Sequence, residues 1–400
     1  MAISIETLRH IIWAWGNQAK TAPKSLILAT IFAIVVSVLF FFYAALFFLV
    51  PNPRAPLASE RTYITSDPST KVTKPRNLPC WHDVWLQNRQ GTANSRNTLE
   101  KLTSCIDEPE IEISVVVPAY NEEQRLTAML EEAVEYLEAE YGRRPKRLDK
   151  TKATPGGQPS KPMVVGGYEI LIVNDGSSDK TVEVALEFSR RHGLHDILRV
   201  CTLKTNRGKG GAVIHGFRHV RGAYALFADA DGASRFTDVR KLVEGCKEVV
   251  DASGRAVSVG SRVHLVESEA VVKRSLIRNI LMHSFHLLLR LLTPPATSRI
   301  RDTQCGFKLF SRPALPHIVP YMHAEGWIFD VEMLMLAESA PPVLLSGGGE
   351  TDAGIRVKEV YIGWKEVGGS KLNVICDSLG MAYGLALLRA GWMLGVYKRW

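Results

Sequence analysis

Asp229 and Asp231 stand one residue apart in the segment LFADADGASR, directly after an apolar run. Paired carboxylates at the end of a buried run are costly to desolvate unless a cation accompanies them. In a solvated turn they do no chemistry; around a cation they form a ligand pair. Mg2+ and Mn2+ suit such a pair, because both favour oxygen ligands and are commonly held by one or two carboxylates together with ligand phosphates. A metal so held acts as a Lewis acid, neutralising the charge that builds on a leaving pyrophosphate. A phosphate-cradling loop of the P-loop kind is absent: NRGKGGA, which contains Lys209, lacks the G-x-x-x-x-G-K-[ST] spacing, and no G-x-G-x-x-G opens the first helix.

The neighbouring segments say what must position these carboxylates. A β-branched run at 113–117 ends at Pro118 and is followed by Tyr120, Asn121 and Glu122, a buried strand and then a turn. Leu126, Leu130, Val134 and Leu137 then recur at helical spacing. YEILIVNDGSSDKT reads as a second strand and loop, with Asp175 at the strand end and Asp179 placed to cap a helix beginning near Thr181. ILRVCTL is a third strand, GKGGAVIHGFRHV a helix and YALFADAD a fourth strand. Strands alternating with helices imply an α/β fold with a mostly parallel sheet wound by right-handed crossovers. Ligands of such sheets bind beyond the C-terminal strand ends, which is where Tyr120, Asn121, Glu122, Asp175, Asp229 and Asp231 all fall. Between the first helix and second strand, residues 143–167 are basic, rich in Pro and Gly and without periodicity, and are expected to be a mobile insertion.

The N-terminal part has a different character. Residues 25–50 carry no charge, and about 26 helical residues reach roughly 39 Å, enough to cross a bilayer core of about 30 Å with tilt. A cleaved leader has a shorter apolar region and a small-residue cleavage site, whereas Pro51, Asn52, Pro53 and Arg54 follow here. An uncleaved, single-pass membrane anchor is expected, preceded by a segment at 1–24 and followed by a polar tether or partly ordered collar at 51–110. Arg54, Arg61, Lys71, Lys74 and Arg76 outnumber Lys20 and Lys24 across the span, so the positive-inside rule places the C-terminal side in the cytosol. The six cysteines are scattered without metal-ligand spacing and read as reduced thiols. The net charge of +8 suits an anionic membrane face; no nucleic-acid-binding module is visible, and none is expected as a partner. Two later segments, residues 273–292 with leucines among basic residues and the apolar stretch 373–400 ending in a basic aromatic cluster, read either as core helices or as amphipathic helices at the lipid interface.

VVVPAYNE, VNDGSSDKT, FADADGAS and GSR together resemble the inverting glycosyltransferases of family 2, which bind nucleotide sugars in a GT-A fold. RDTQCGFKLF, GWIFDVEML and the N-terminal anchor are similar to those members that transfer glucose from UDP-glucose to dolichyl phosphate at the endoplasmic reticulum, the glucose donor for N-glycan precursor assembly. The resemblance spans roughly residues 111–390, and a GT-A catalytic domain at 111–372 is expected. It implies that Pro118, Tyr120 and Glu122 line the uridine pocket, that Asp175 hydrogen-bonds the uracil, that Lys209 belongs to the donor site, and that Asp229 and Asp231 hold the metal bridging the UDP pyrophosphate. Arg262 would meet a phosphate of donor or acceptor, and Asp302 would lie near the sugar. Arg301, Lys308 and Lys371 are further candidates for the lipid phosphate on charge alone. Because a phosphate monoester is already anionic near neutral pH, a general base is hardly needed; cations that align the acceptor behind C1 matter more. Two other readings stay open at this point: a dolichyl-phosphate mannosyltransferase using GDP-mannose, and an inactive membrane scaffold of the same fold.

Overall fold

The computed structural model of the 400-residue chain describes residues 23–50, 54–69, 71–91, 106–144, 146–148, 163–266, 284, 287–343, 349, 351–368 and 374–397. Two compact units divide it, one made of the N-terminal residues to Pro51 with Leu387–Lys398, the other of Asn52–Ala386 with the last two residues.

In the first unit, α1 (Lys24–Leu49) is a helix with no buried residue. Among the described residues it is the one helix long and apolar enough to cross a membrane. Its uninterrupted apolar surface is what a helix in lipid requires, since its backbone bonds are satisfied internally and its side chains face hydrocarbon.

The second unit is built on a seven-stranded sheet. Its strands are β1 (Ile111–Ala119), β2 (Tyr168–Asn174), β3 (Leu198–Thr202), β4 (Gly222–Ala228), β5 (Val257–Ser261), β6 (Phe307–Ser311) and β7 (Val357–Tyr361), in the spatial order β7-β5-β6-β4-β1-β2-β3. β6 runs antiparallel to both neighbours, and the other pairings are parallel. Six strands therefore end at one edge, and the turn that leads into β6 arrives at the same edge. The strand order reverses between β1 and β4, the position where open α/β sheets bind ligands.

The helices are α2 (Trp81–Gly91), α3 (Leu126–Glu140), α4 (Thr181–Arg191), α5 (Gly208–Phe217), α6 (Val239–Val249), α7 (Phe329–Glu338) and α8 (Val374–Met393). Alternate residues of β1, Ile113, Val115 and Val117, join Leu126, Leu130, Val134 and Leu137 of α3 in one apolar core, so the helical spacing of those four residues is the buried stripe expected of it. Pro118 lies in β1 beyond Val116, the last residue of β1 to pair in the parallel β4 ladder, which ends at Phe227; its missing N–H thus costs the β4 ladder nothing. Asp179 caps α4 as expected, accepting from Thr181 N at 3.0 Å.

The described part of the segment 51–110 takes the form of a collar: Ile64 bridges to Val200 of β3, Trp81 Nε1 donates to the Phe217 carbonyl at 2.7 Å, and the Glu60 carboxylate is buried. The insertion at 143–167 begins and ends in order, with Lys146–Leu148 pairing antiparallel to Met163–Val165 and Arg143 donating to the carbonyls of His192 and Gly193; residues 149–162 lie outside the described residues. Of the basic segment 273–292, Lys273, Arg274 and Arg278 also lie outside them, while Leu287 and Leu291 are exposed and Leu289 is buried. In α8, apolar residues occur around the helix, with Met381 and Leu385 buried and Leu379 and Tyr383 exposed.

Candidate active site

At the end of β1 the chain must turn sharply. Asn121 does so with φ +53°, a left-handed conformation that asparagine tolerates better than most residues. Its N–H donates to Ser177 Oγ at 2.9 Å and its Oδ1 accepts from Ser178 N at 2.8 Å. Glu122 N donates to Thr181 Oγ1 at 2.7 Å, and Glu123 N to Asp179 Oδ2 at 3.1 Å. The two loops that follow β1 and β2 are thereby clipped into one surface. Tyr120 is exposed on it and Pro118 half-buried, while Glu122 is nearly buried. The Glu122 carboxylate is gripped by Arg125 through Nε and Nη2 at 2.8 and 2.7 Å. It is a bound partner of Arg125.

Asp175, one residue past β2, is 3% exposed. Its N–H donates to the Ala119 carbonyl and its Oδ1 accepts from Arg207 N at 2.7 Å. Burial pushes its carboxyl up to about 6, against the Arg207 and Gly208 N–H groups that pull it down.

Asp229 follows β4 immediately. Its N–H donates to the Gly306 carbonyl at 3.1 Å, and its carboxylate lies 2.7 Å from Lys209 Nζ. A Cβ on Gly306 would overlap that carboxylate, so position 306 must be glycine for Asp229 to sit here. Lys209 stands over the rings of Phe227 and Trp327, 5.2 and 5.9 Å from the centroids. Against the downward pull of burial, Asp229 and Asp330 hold its ammonium above the ordinary lysine value. Asp231 caps its own turn by accepting from Ala233 N at 3.0 Å, with Arg125 Nη1 at 3.9 Å from its other oxygen.

Both carboxylates are partly exposed, each with acceptor capacity beyond these bonds. Two hard oxygen donors at the mouth of a sheet fit Mg2+ or Mn2+ with ligand phosphates completing the shell. Among the described residues no group of three His, Cys, Asp or Glu converges as a cage.

Arg262, the residue after β5, is fastened to Asp302: Nε and Nη2 donate to Oδ2 and Oδ1, each at 2.8 Å, and the Arg262 N–H donates to Oδ2 at 2.9 Å. The guanidinium faces the Trp364 ring at 5.8 Å. Against the upward pull of burial, it holds the Asp302 carboxyl below the usual range. The planar fork expected to grip phosphate is thus committed to Asp302, and Nη1 takes no part in the pair. Asp302 and Arg301 are in turn anchored by main-chain donation to Glu359, with Arg301 exposed.

Lys308 does not fit the acceptor role expected of it. It is fully buried, donating to the Cys305 carbonyl at 2.6 Å and paired with Asp330. A side chain in β6 under the site has no surface on which to meet a lipid phosphate. Lys371 lies outside the described residues. The structure adds residues that sequence reasoning missed: Arg125, Arg207, Glu325, Trp327 and Trp364. Arg207 sits within the NRGKGGA segment, dismissed above for lacking phosphate-loop spacing, and Trp327 within GWIFDVEML; Glu122 and Arg125 are three apart, the spacing of an ion pair on one helical turn.

A seven-stranded, mostly parallel sheet with a carboxylate pair at its switch point is the GT-A arrangement. The glycosyl transferase family 2 model matches residues 165–318, so the class is that of a glycosyltransferase. The chain is 37% identical over 375 residues to dolichyl-phosphate beta-glucosyltransferase of Saccharomyces cerevisiae, covering 92% of this chain and 94% of that one. The protein of the same name from Drosophila melanogaster is 40% identical over 76% of this chain and 82% of its own length, and that from Homo sapiens 38% over 76% and 83%. The chain belongs to the dolichyl-phosphate beta-glucosyltransferase family. A crystal structure of glucosyl-3-phosphoglycerate synthase from Mycobacterium tuberculosis with Mn2+, UDP-glucose and phosphoglyceric acid aligns over 78% of this chain and 88% of that chain, with a TM-score of 0.43 and 17% identity.

Proposed function

We propose that the protein transfers glucose from UDP-glucose to dolichyl phosphate, with inversion at C1, giving dolichyl β-D-glucosyl phosphate and UDP. The observation that carries this is the convergence of Asp175, Asp229 and Asp231 on one sheet edge in a chain of this family. Asp175 is placed to accept from the uracil, with Pro118, Tyr120 and Glu122 forming the wall of that pocket. Bound at Asp229 and Asp231, Mg2+ or Mn2+ would supply Lewis-acid neutralisation of the departing pyrophosphate. Lys209, already against Asp229, adds a second positive charge on the same side.

The acceptor phosphate oxygen forms the new bond to C1 as the bond to UDP breaks, its electron pair leaving on the β-phosphate. An anionic nucleophile makes proton abstraction unnecessary. This agrees with an Asp302 locked to Arg262, which is a poor general base but a rigid post near the sugar. Arg262 Nη1, Arg301 and Lys371 remain the cations proposed for the acceptor phosphate. The helix α1 supports attachment to a bilayer, which we assign to the endoplasmic reticulum, with the catalytic unit on the cytosolic side where UDP-glucose is available. The members named above all carry the glucosyl name, which favours glucose over mannose as the sugar.

Purified protein with dolichyl phosphate and radiolabelled UDP-glucose, UDP-galactose, UDP-N-acetylglucosamine or GDP-mannose in parallel tests the reading. Label should enter the lipid phase from UDP-glucose and require the divalent ion. Preferential transfer from GDP-mannose, or none from any donor, would overturn it.

A further inference from the structure

A linked set of charges, separate from the Asp229–Asp231 pair, lies behind Asp175. Arg207 is 6% exposed, and its guanidinium donates from Nε at 3.0 Å and from Nη2 to Glu325 Oε1. Nη2 also donates to the Arg54 carbonyl at 3.0 Å. Arg54 reaches the other oxygen of the same carboxylate, with Nε and Nη2 at 3.1 and 2.9 Å from Glu325 Oε2. The main chain of Glu325 closes the cluster, its carbonyl accepting from Gly211 N at 3.0 Å. Gly208 has φ +79°, and a Cβ there would fall 2.8 Å from that carbonyl, so the loop and Glu325 are in close approach. Nearby, the buried Glu60 accepts from Lys204 N at 3.0 Å and from Leu57 N at 2.9 Å. The collar just after α1 is therefore bonded to both ends of the loop 204–207.

That loop carries the N–H that holds Asp175. A guanidinium cannot shed its charge to escape burial, so Arg207 stays in place while Glu325, the Arg54 carbonyl and, at 4.0 Å from Nη1, the Glu60 carboxylate answer it. Remove the Glu325 carboxylate and the cheapest relief is for Arg207 to swing to water, drawing its own N–H away from Asp175 Oδ1. The rotation of the Asp175 carboxylate, and hence the oxygen it offers a ligand, depends on that N–H.

We infer that Arg207, Glu325 and Arg54 are positioning residues for the nucleotide, and that the stretch 54–60 following the membrane helix is a built part of the donor site. The inference rests on the reading of Asp175 as a uracil ligand. None of the three side chains is required to touch the donor; they act through the Arg207 N–H.

Titration calorimetry of UDP with Mn2+ on the full-length, detergent-solubilised protein separates the two. Asp175→Asn should weaken UDP binding; if it does not, the donor-site reading fails and the inference with it. With that established, Glu325→Gln should raise the Kd for UDP about tenfold, the lower end of what losing an outer partner costs at a ligand site. Arg207→Lys, which keeps charge but loses the fork, should fall between wild type and Glu325→Gln. The KM for dolichyl phosphate and kcat at saturating UDP-glucose should stay unchanged. If Glu325→Gln yields no folded protein, Arg54→Ala at the exposed end of the chain should raise the UDP Kd about threefold. A lowered Tm with the UDP Kd unmoved in these variants would make the cluster structural only and overturn the inference.

Discussion

Of the aspartates near one edge of the sheet, four divide into two pairs by what surrounds them. The side chains of Asp229 and Asp231 are 29% and 26% exposed, held by one lysine and by a loose arginine contact. Those of Asp302 and Asp330 are 10% and 4% exposed, each locked to a dedicated cation, Arg262 or Lys308. A buried carboxylate whose lone pairs are all answered specifies structure, because breaking the pair strands a charge. A carboxylate at the mouth with acceptor capacity to spare is one a cation and a phosphate can use. Residue type is the same in all four; the completeness of the partner set separates binding from scaffolding.

The contrast is sharpest where the pair is most deeply buried. Lys308→Met should destabilise the protein by about 3–5 kcal/mol, as loss of one partner of a buried pair does, because burial already pushes the Asp330 carboxyl up and the pull of Lys209 alone is then left against it. The double variant Lys308→Met/Asp330→Leu should recover much of that loss, read by thermal or denaturant unfolding. A single variant as stable as wild type would place Lys308 outside the scaffold.

Asp231→Asn should behave in the opposite way, with normal unfolding and transfer lowered by about 3 kcal/mol in activation free energy, on the order of a hundredfold, through lost stabilisation of the leaving UDP. Activity near wild type at low Mg2+ or Mn2+ would break the division between the pairs. Asp302→Asn should show both signs at a smaller scale: a few kcal/mol of stability at most, and a kcat reduced through a displaced Arg262. A general-base role would instead appear as an acidic limb in the kcat–pH profile of the wild type that Asp302→Asn removes.

Asp175 lies between the two classes, buried yet proposed to meet the nucleotide, and pH distinguishes its roles. Its folded-state value near 6 lies above the ordinary carboxylate value of 3.8. Its contribution to stability is therefore fully present below about 3.8 and lost as pH rises through about 6. Nucleotide binding has the reverse sign, since the ionised form is the better acceptor. The Kd for UDP should rise as pH falls from 7 to 5. Calorimetry across that interval checks it, and Asp175→Asn should flatten the profile.

The smallest effect is expected from removing residues 1–50. That deletion should reduce membrane partitioning, measured by flotation, while sparing turnover on detergent-solubilised acceptor, because the second unit has its own core. Loss of UDP binding would count against a second unit that folds without those residues.

The strand–helix alternation from 111 to 231 was legible in the residues, because apolar runs ending in turn signals and a four-residue helical stripe are local patterns. So was the placement of Tyr120, Asp175, Asp229 and Asp231, since every parallel strand delivers its C-terminal loop to the same edge. The apolar, uncharged span of α1 also needed nothing but chain length and hydropathy. Local pattern carried no information on which cation meets which carboxylate. Lys308 and Arg262 read alike as positive charges near a phosphate site, and only the antiparallel entry of β6 between β4 and β5 buried one and pinned the other to Asp302. The same entry brought Gly306 against Asp229, 77 residues away in sequence by subtraction of their numbers. Between tether and collar the residues did not decide, for a like reason: they are polar and the strands there two residues long, too short to show a period, and the order comes from bonds to β3 and α5. Composition and spacing determined the class of sheet and the edge on which chemistry is possible. Which acids stay open to solvent and which are answered by a buried cation was decided by tertiary packing alone, because desolvation and pairing depend on neighbours that sequence separation hides.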